Sequence, residues 1–507
     1  MTNHLFDGLL AKGRKAPERR FALMPDGRTY SYRDVEEVSA RFASTLVALG
    51  LKPGDRVAVQ VEKSIEALML YLGTVRAGGV FLPLNTAYTP AEIDYFLTDA
   101  TPAIFVCDPK KREALAPIAE KAGAVIETLG VWTSPDASAG SLSDKTLGAD
   151  ATFSTIERSA VDLAAILYTS GTTGRSKGAM LSHENLLSNA EVLEETWGFT
   201  QDDVLLHALP IFHTHGLFVA SNTVTIAGGS MIFLPKFDPD TVFQYLPQAT
   251  SMMGVPTFYT RLLADERLNR ETTAHMRLFT SGSAPLLAET HRAFEARTGQ
   301  RILERYGMTE TNMNTSNPLE GERRAGTVGF PLKGCELRIV DEKSGERLPT
   351  GEIGVIEVKG PNVFSGYWKM PEKTKAEFRE DGYFITGDLG LIDEDGYVTI
   401  VGRGKDLVIT GGYNVYPKEV ELAIDELPGV VESAVIGVPH PDFGEGVVGV
   451  VVAKEMLEEK ALLDQLKDRL AKFKQPKRIV FVDELPRNTM GKVQKNVLRE
   501  ENAKLFA

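Results

Sequence analysis

Cysteine is scarce in this sequence. Cys107 and Cys335 are the two cysteines among 507 residues, and they lie far apart without a CxxC spacing. Such sparse use excludes a disulfide framework and is typical of proteins in a reducing cytosol, so we expect a cytoplasmic protein. No apolar run approaches the roughly 20 residues of a membrane helix, and the N-terminus lacks the apolar core of a signal peptide. The sequence therefore predicts a soluble protein with no membrane partner.

An excess of positive charge is also missing. The net charge of −13 argues against nucleic acid as a partner, because such proteins carry a basic footprint. Small anions are still allowed, since a site needs only local positive charge. Residues 454–507 contain thirteen Lys and Arg against nine Asp and Glu. This basic segment is either a solvated helical face or a seat for an anionic ligand.

Short apolar runs alternate with helix-like segments over the first 400 residues. In one helix start, Thr89 can cap the helix, Pro90 suits its first turn and Glu92 completes a capping box. Alternation of this kind predicts an α/β fold of several layers with mainly parallel sheets. The runs that we interpret as buried strands are 56–61, 78–85, 164–169 and 230–235.

The segment 397–421 has the character of a junction between two domains. It contains a Gly-rich turn between two β-like runs, and a compact α+β pattern follows it. We expect a large domain over residues 1–404 and a small α+β domain over residues 405–507. The elements predicted in the small domain are a helix at 417–426, strands at 432–437 and 446–453, a helix at 460–473 and a strand at 478–483.

The strongest local signal is the segment 168–178, which has the sequence YTSGTTGRSKG. A loop rich in Gly, Ser and Thr after a buried strand offers backbone N–H groups and hydroxyls to phosphate oxygens, and Lys177 adds a cation. The segment does not fit the Walker A pattern in any register. It predicts a phosphate-binding loop; the alternative is a flexible surface turn.

Four further motifs follow in order: SGSAPL at 281–286, YGMTET at 306–311, YFITGD at 383–388 with Gly402-Arg403, and PRNTMGK at 486–492. Together with the loop at 168–178 they resemble, over nearly the whole chain, the adenylate-forming superfamily of acyl-CoA synthetases, luciferases and peptide-synthetase adenylation domains. The resemblance implies that ATP activates a carboxylic acid as an acyl-adenylate, with diphosphate as the leaving group.

The resemblance also implies roles for individual residues. Glu310 is the implied Mg²⁺ ligand with Thr309 beside it, and Lys492 is the mobile catalytic lysine between the acid and the α-phosphate. Asp388 and Arg403 are expected to hold the ribose of ATP. The implied contacts to the phosphates and the adenine are Thr169, Ser170, Gly171, Thr172, Thr173, Gly174, Lys177, Ser283, Ala284, Pro285, Tyr306, Gly307 and Met308.

In the second half-reaction of the family, CoA attacks the acyl-adenylate after the C-terminal domain has rotated. The implied hinge is Lys405, and Gly411, Gly412 and Tyr413 resemble the loop along which pantetheine passes. The exposed setting expected for Lys492 also makes it a candidate for a lysine acetyltransferase and deacetylase, because acetylation would remove its charge.

Two segments are expected to line the acid pocket. His213, in the segment 209–216, and Ser281 are candidate acid ligands; a core histidine without a ligand is the alternative for His213. The segment 255–261 most resembles the malonyl-CoA synthetase branch, where Arg261 would grip the second carboxylate of a dicarboxylic acid. The alternative is an Arg261 that faces solvent and pairs with Asp265.

The predicted function is therefore a malonyl-CoA synthetase that uses malonate, ATP, Mg²⁺ and CoA, and also methylmalonate. A synthetase for oxalate or for a short- or medium-chain acid would share every feature except Arg261. An adenylation enzyme that loads a carrier protein is a further alternative, although no carrier segment follows Lys492. A binding protein without catalysis would be expected to lack Lys492, Glu310 or Asp388.

Overall fold

The computed structural model of the protein describes residues 3–131, 139–169, 176–411, 413–488 and 491–506. Within these ranges the chain forms four β-sheets, and helices cover the two largest. The α-helices are His4–Leu10, Tyr32–Ala48, Ile65–Arg76, Pro90–Ala100, Arg112–Lys121, Ser141–Leu147, His183–Thr196, Thr223–Ala227, Pro239–Tyr245, Pro256–Leu263, Ala288–Thr298, Pro371–Glu377, Pro417–Asp425, Glu459–Leu466 and Lys495–Glu501.

The largest sheet has nine strands, of which the central six are parallel. Its hairpin partners at both edges run antiparallel. In spatial order its strands are Phe330–Pro331, Asn312–Ser316, Ile302–Met308, Leu278–Ser281, Ser251–Gly254, Val204–His207, Ser230–Phe233, Arg20–Leu23 and Thr29–Ser31.

A second sheet of six strands is parallel except at one edge, where an antiparallel hairpin closes it. In spatial order its strands are Val125–Thr128, Ile104–Cys107, Arg56–Gln60, Val80–Pro83, Leu163–Thr169 and Lys177–Ser182. The helix Ile65–Arg76 and the π-helix His215–Asn222 are buried along their whole length and belong to the main apolar core. The prediction of an α/β fold with mainly parallel sheets is confirmed.

Two smaller sheets complete the structure. The first is antiparallel and consists of Glu336–Val340, Gly354–Lys359, Phe384–Ile392 and Val398–Arg403. The second consists of Tyr413–Val415, Val408–Thr410, Gly444–Ala453, Val430–His440 and Arg478–Phe481, and it has apolar clusters of its own. Lys405 lies in the short 3₁₀ turn Gly404–Asp406 between these two sheets.

Local sequence signals account well for where helices begin. Thr89 accepts a hydrogen bond from the backbone of Glu92, and the Glu92 carboxylate accepts one from the backbone of Thr89, as the capping box predicts. The helix predicted at 460–473 is wrong in its second half, because the observed helix ends at Leu466. Beyond this end the backbone continues as turns, and the Gln475 side chain donates to Leu470 O at 2.8 Å.

Both cysteines are free and buried. Within the described ranges, no helix is both long enough and apolar enough to cross a membrane.

Candidate active site

Four segments that carry predicted site residues begin at the carboxyl ends of strands in the nine-stranded sheet. The four strands that precede them are parallel neighbours, and the carboxyl ends of parallel strands lie on the same side of a sheet. The fold therefore gathers residues that are up to about a hundred positions apart. These segments carry His213, Arg261, Ser283 and Glu310, with Arg261 on a helix, and they follow Val204–His207, Ser251–Gly254, Leu278–Ser281 and Ile302–Met308.

The first cluster at this edge joins Tyr306, Asp388 and Arg403. The Tyr306 hydroxyl donates to Asp388 Oδ2 at 2.5 Å, and Arg403 Nε lies 2.6 Å from Asp388 Oδ1. Asp388 and Arg403 face each other across antiparallel strands, so the pair is set by strand register. Burial and the Asp388 charge raise the pKa of Tyr306, and Asp388 raises the pKa of Arg403. The predicted adenine and ribose residues therefore form one network.

A second cluster surrounds the buried carboxylate of Glu310. Its Oε1 accepts a hydrogen bond from the Tyr367 hydroxyl at 3.1 Å, and burial raises the pKa of this carboxyl group. The Tyr367 hydroxyl also lies 2.7 Å from Glu377 Oε2, and Lys177 lies 3.1 Å from the other oxygen of Glu377. Lys177 also stacks on the Tyr367 ring. Glu310 and Lys177 are thus held near each other by Tyr367 and Glu377, which sequence reasoning missed.

The flanks of the predicted phosphate loop close a hairpin. Thr169 and Lys177 are partners in the antiparallel pairing of their strands, so the loop between them begins and ends at one place. The predicted phosphate ligands Ser170, Gly171, Thr172, Thr173 and Gly174 lie outside the described residues.

The predicted acid pocket contains buried polar groups. His213 Nε2 is enclosed without a hydrogen-bond partner among the described residues, as is Ser281 Oγ. Burial lowers the pKa of His213 to about 4, so this imidazole is neutral at pH 7. His215 Nδ1 lies 3.2 Å from Ser283 Oγ, and Ser283 takes a left-handed backbone conformation with φ of 69°. A neutral His213 can donate one hydrogen bond to an acid without carrying charge.

Arg261 does not pair with Asp265, as the alternative prediction had it. Asp265 is bound by Arg267 instead, at 2.9 Å from its Nε. Arg261 is exposed and lies over the ring of Phe237, with its guanidinium carbon 4.9 Å from the centroid. The alternative prediction is therefore confirmed in that Arg261 faces solvent and wrong in its partner, because the guanidinium lies over an aromatic ring.

Gly491, which precedes Lys492, lies close to the helix that carries Arg261. A Cβ atom on Gly491 would lie 3.3 Å from Thr257 Oγ1, and residues 257 and 261 are one helical turn apart. Part of the Lys492 side chain reaches solvent, while partial desolvation by nearby protein atoms and the charge of Arg403 lower its pKa to about 8. Asp388 also contributes to this pKa. Lys492 is therefore close enough to the Asp388 and Arg403 pair to be affected by its charges.

Gly411 and Tyr413, which were predicted to guide CoA, lie in neither the Tyr306–Asp388–Arg403 cluster nor the Glu310 cluster. Gly411 and Tyr413 are exposed, and Tyr413 stacks on Phe473 of the same small sheet region with centroids 4.8 Å apart. Gly411 N donates to Phe443 O. Gly412 lies outside the described residues.

With this geometry in view, comparisons with known proteins define the class. The profile of the AMP-binding enzyme family matches residues 10–368, and that of the AMP-binding enzyme C-terminal domain matches residues 419–492. The chain belongs to the AMP-binding enzyme family.

Three relatives illustrate its place in the family. The crystal structure of ATP-bound MatB from Rhodopseudomonas palustris is 63% identical with a TM-score of 0.97, over 100% of both chains. A malonate–CoA ligase of Arabidopsis thaliana is 35% identical over 95% of this chain and 86% of its own length. A feruloyl-CoA synthase of an Amycolatopsis species is also 35% identical, over 95% of this chain and 97% of its own length.

The apo crystal structure of the same MatB has a TM-score of 0.86 against this structure at the same 63% identity. The arrangement described here is therefore closer to the ATP-bound relative than to the apo form.

Proposed function

We propose that this protein is a malonate–CoA ligase, which converts malonate, ATP and CoA into malonyl-CoA, AMP and diphosphate and also accepts methylmalonate. Its enzyme class is that of an AMP-forming acid–thiol ligase. The observation that carries the choice of malonate is the position of Arg261, one helical turn from the Thr257 that contacts the Lys492 loop. A guanidinium at the rim of the acid pocket can bind the carboxylate that does not react.

In the first half-reaction one malonate carboxylate attacks the α-phosphorus of ATP, and diphosphate leaves. Negative charge grows on the phosphate oxygens, so catalysis depends on cations fixed where that charge develops. Lys492 supplies one, and Lys177 with the hairpin loop beside it supplies another. Asp388 and Arg403 orient the ribose, and Tyr306 flanks the adenine.

Mg²⁺ suits the carboxylate of Glu310. This ion usually binds proteins through one or two carboxylates, keeps several waters and takes its remaining ligands from phosphates. Among the described residues no group of three or more His, Cys, Asp or Glu side chains forms a complete metal site. We propose that Glu310, with Thr309 beside it, would hold the ion together with ATP, where the ion would neutralise phosphate charge.

In the second half-reaction the CoA thiol attacks the acyl carbonyl, and AMP leaves. We propose that residues 405–507 then rotate as a unit about Lys405, which withdraws Lys492 and brings Gly411, Gly412 and Tyr413 to the site. The exposure of Gly411 and Tyr413 supports this step, because both keep surface open to a ligand even though Tyr413 stacks on Phe473. Acetylation of the exposed Lys492 would stop the first half-reaction, so an acetyltransferase is a proposed regulatory partner.

The test is a panel of acids in a diphosphate-release assay, run with and without CoA. We expect malonate to give the highest kcat/KM, with methylmalonate next and with AMP and thioester formed only when CoA is present. Preference for oxalate, succinate, acetate, octanoate or ferulate would contradict the proposal. Such a preference matters because relatives of equal identity are named for malonate and for ferulate.

A further inference from the structure

Lys63 is a buried lysine that connects the two largest sheets. It follows the strand Arg56–Gln60 of the six-stranded sheet and is 8% exposed. Its Nζ atom lies 2.8 Å from His207 O and 3.0 Å from His207 Nδ1, at the end of the strand Val204–His207 of the nine-stranded sheet. The same nitrogen lies 4.3 Å from the centroid of the Phe233 ring. Lys63 is therefore held in one position by contacts with the nine-stranded sheet.

The hydrogen bonds of the buried His207 ring define its tautomer. His207 Nε2 lies 2.9 Å from Gly216 O and 3.1 Å from Ser221 Oγ. A carbonyl oxygen can only accept, so Nε2 carries the proton and donates to Gly216 O. Burial and the neighbouring Lys63 hold the pKa of His207 well below its usual range, so the ring is neutral and its Nδ1 is an acceptor. Lys63 therefore donates to Nδ1 and stabilises the tautomer that binds Gly216 O.

His207 and Gly216 are the two ends of the segment that carries His213. The hydrogen bond from the His207 ring joins them across nine positions of the sequence. Gly216 also packs against the start of the segment, because a Cβ atom at this position would lie 2.0 Å from Pro210 O. The π-helix His215–Asn222 begins at the same place, and π-helical turns are frequent at functional sites. The segment 207–216 is thus closed into a loop by the His207 ring.

We infer that Lys63 and His207 are positioning residues for acid binding, which hold the loop 207–216 so that His213 meets the acid. The inference rests on the proposed function. Without Lys63, the buried Nδ1 of His207 would lack its donor, and the other tautomer would no longer bind Gly216 O. A shift of about 1 Å in a group that positions a substrate can cost about 100-fold in rate.

The effect should be confined to the acid. The predicted ribose residues Asp388 and Arg403 lie on the four-stranded antiparallel sheet, and none of the hydrogen bonds described for Lys63 and His207 involves them. Loss of the Lys63 and His207 contacts should therefore raise the KM for malonate and leave the KM for ATP unchanged. A purely structural role would lower stability without this difference between the two substrates.

The experiment measures both KM values in three variants of the full-length enzyme. Lys63→Met and His207→Leu remove the hydrogen bonds at similar size, and we expect each to raise the KM for malonate about tenfold or more, with the KM for ATP within about twofold of wild type. His207→Gln keeps an N–H donor near the position of Nε2, so its KM for malonate should stay within about threefold of wild type.

Tyr71→Phe is the matched control. The Tyr71 hydroxyl is buried and lies 3.4 Å from Asn222 Oδ1, at the far end of the same π-helix. Its loss should lower the melting temperature and leave both KM values unchanged. A rise in the KM for malonate in this control equal to that in Lys63→Met would overturn the inference, because any loss of stability would then suffice.

Three other results would also overturn the inference. They are an unchanged KM for malonate in Lys63→Met and His207→Leu, an equal rise in the KM for ATP, and a His207→Gln variant as impaired as His207→Leu. Should Lys63→Met and His207→Leu not fold, Ser221→Ala decides, because Ser221 Oγ donates to Gly216 O at 2.9 Å. A rise in the KM for malonate alone supports the inference in that variant, and an unchanged value overturns it.

The failure of the proposed function would be seen separately. A wild-type enzyme that prefers another acid contradicts the proposed function, and the same variants are then compared with that acid. A rise in its KM, with the KM for ATP unchanged, still supports the roles of Lys63 and His207. Unchanged values for the preferred acid contradict this inference alone.

Discussion

At the scale of single residues, Lys492 combines exposure with a lowered pKa. Its backbone N–H donates to Asn488 Oδ1 at 3.0 Å, so the turn that presents it is held by its own side chains. The charges of Arg403 and Asp388, which lie on the four-stranded antiparallel sheet, affect the pKa of Lys492. A flexible lysine in this position suits a cation that is needed in one step and withdrawn in the next.

Replacing Lys492 with alanine should separate the two half-reactions. Diphosphate release should fall by at least about 100-fold, because loss of one charged contact to a developing oxyanion costs about 3 kcal/mol or more. Conversion of supplied malonyl-adenylate and CoA to thioester should continue near the wild-type rate. Lys504→Ala, an exposed lysine of the same domain, is the control. Equal loss of both half-reactions would refute the role given to Lys492.

Replacing Arg261 with leucine should lower kcat/KM for malonate by about 10- to 100-fold, the value of a hydrogen-bonded charge pair. The KM for ATP should not change. The kcat/KM for butyrate should stay the same or rise slightly in this variant. A large rise is not expected, because Arg261 is exposed over Phe237 and does not need an anionic partner. Steady-state kinetics of the variant and of the exposed Arg270→Leu check this. Malonate turnover within a few-fold of wild type would make Arg261 a surface residue.

At the scale of elements, the strands predicted at 56–61, 78–85, 164–169 and 230–235 are all present, whereas the end of one predicted helix is wrong. Thr89 and Glu92 signal their helix because both capping partners lie within one turn. No comparable local signal marks the early end at Leu466. Tyr367 and Glu377 were missed because they contact Glu310 and Lys177 from distant parts of the sequence.

The sequence motifs identified the remaining site residues, but the contacts between those residues depend on the fold. The facing of Asp388 and Arg403 follows from strand register, which no local signal fixes. Arg305 packs beneath Gly282 because the strands Leu278–Ser281 and Ile302–Met308 pair side by side, although a helix separates them in the sequence. The alternative prediction for Arg261 gave its exposure but not its contact with Phe237, because that ring comes from a different segment of the chain.

The 3₁₀ turn Gly404–Asp406 is the short element on which the proposed rotation depends. Lys405→Pro should fix the φ angle of that residue and hinder rotation. Diphosphate release should remain within about twofold of wild type, whereas thioester formation from malonyl-adenylate should slow by tenfold or more. Stopped-flow measurement of each half-reaction checks this, with Lys405→Ala as the control. Unchanged rates in both steps would place the hinge elsewhere.

At the scale of the whole molecule, the contact between Thr257 and Gly491 joins the large domain to the proposed mobile one. A Cβ on Gly491 would lie 3.3 Å from Thr257 Oγ1, a separation that a disulfide between two cysteines can bridge. Cys107 and Cys335 are buried and should not compete.

The double variant Thr257→Cys with Gly491→Cys should therefore lock the domains when oxidised. One turnover of diphosphate release should survive, thioester formation should stop, and dithiothreitol should restore it. The two single variants control for strain at position 491, where φ is 73°. Undiminished thioester formation by the oxidised enzyme would show that no rotation is required.

The common edge of the nine-stranded sheet has a consequence for how such enzymes diverge. The segments that carry Glu310 and Arg261 follow different strands of the same sheet. The sequence of either segment can therefore change while the other keeps its position. Arg261 is an exposed helix residue outside the main apolar core, so its substitution disturbs little packing. The acid specificity of such enzymes can therefore change during evolution while the ATP site is kept.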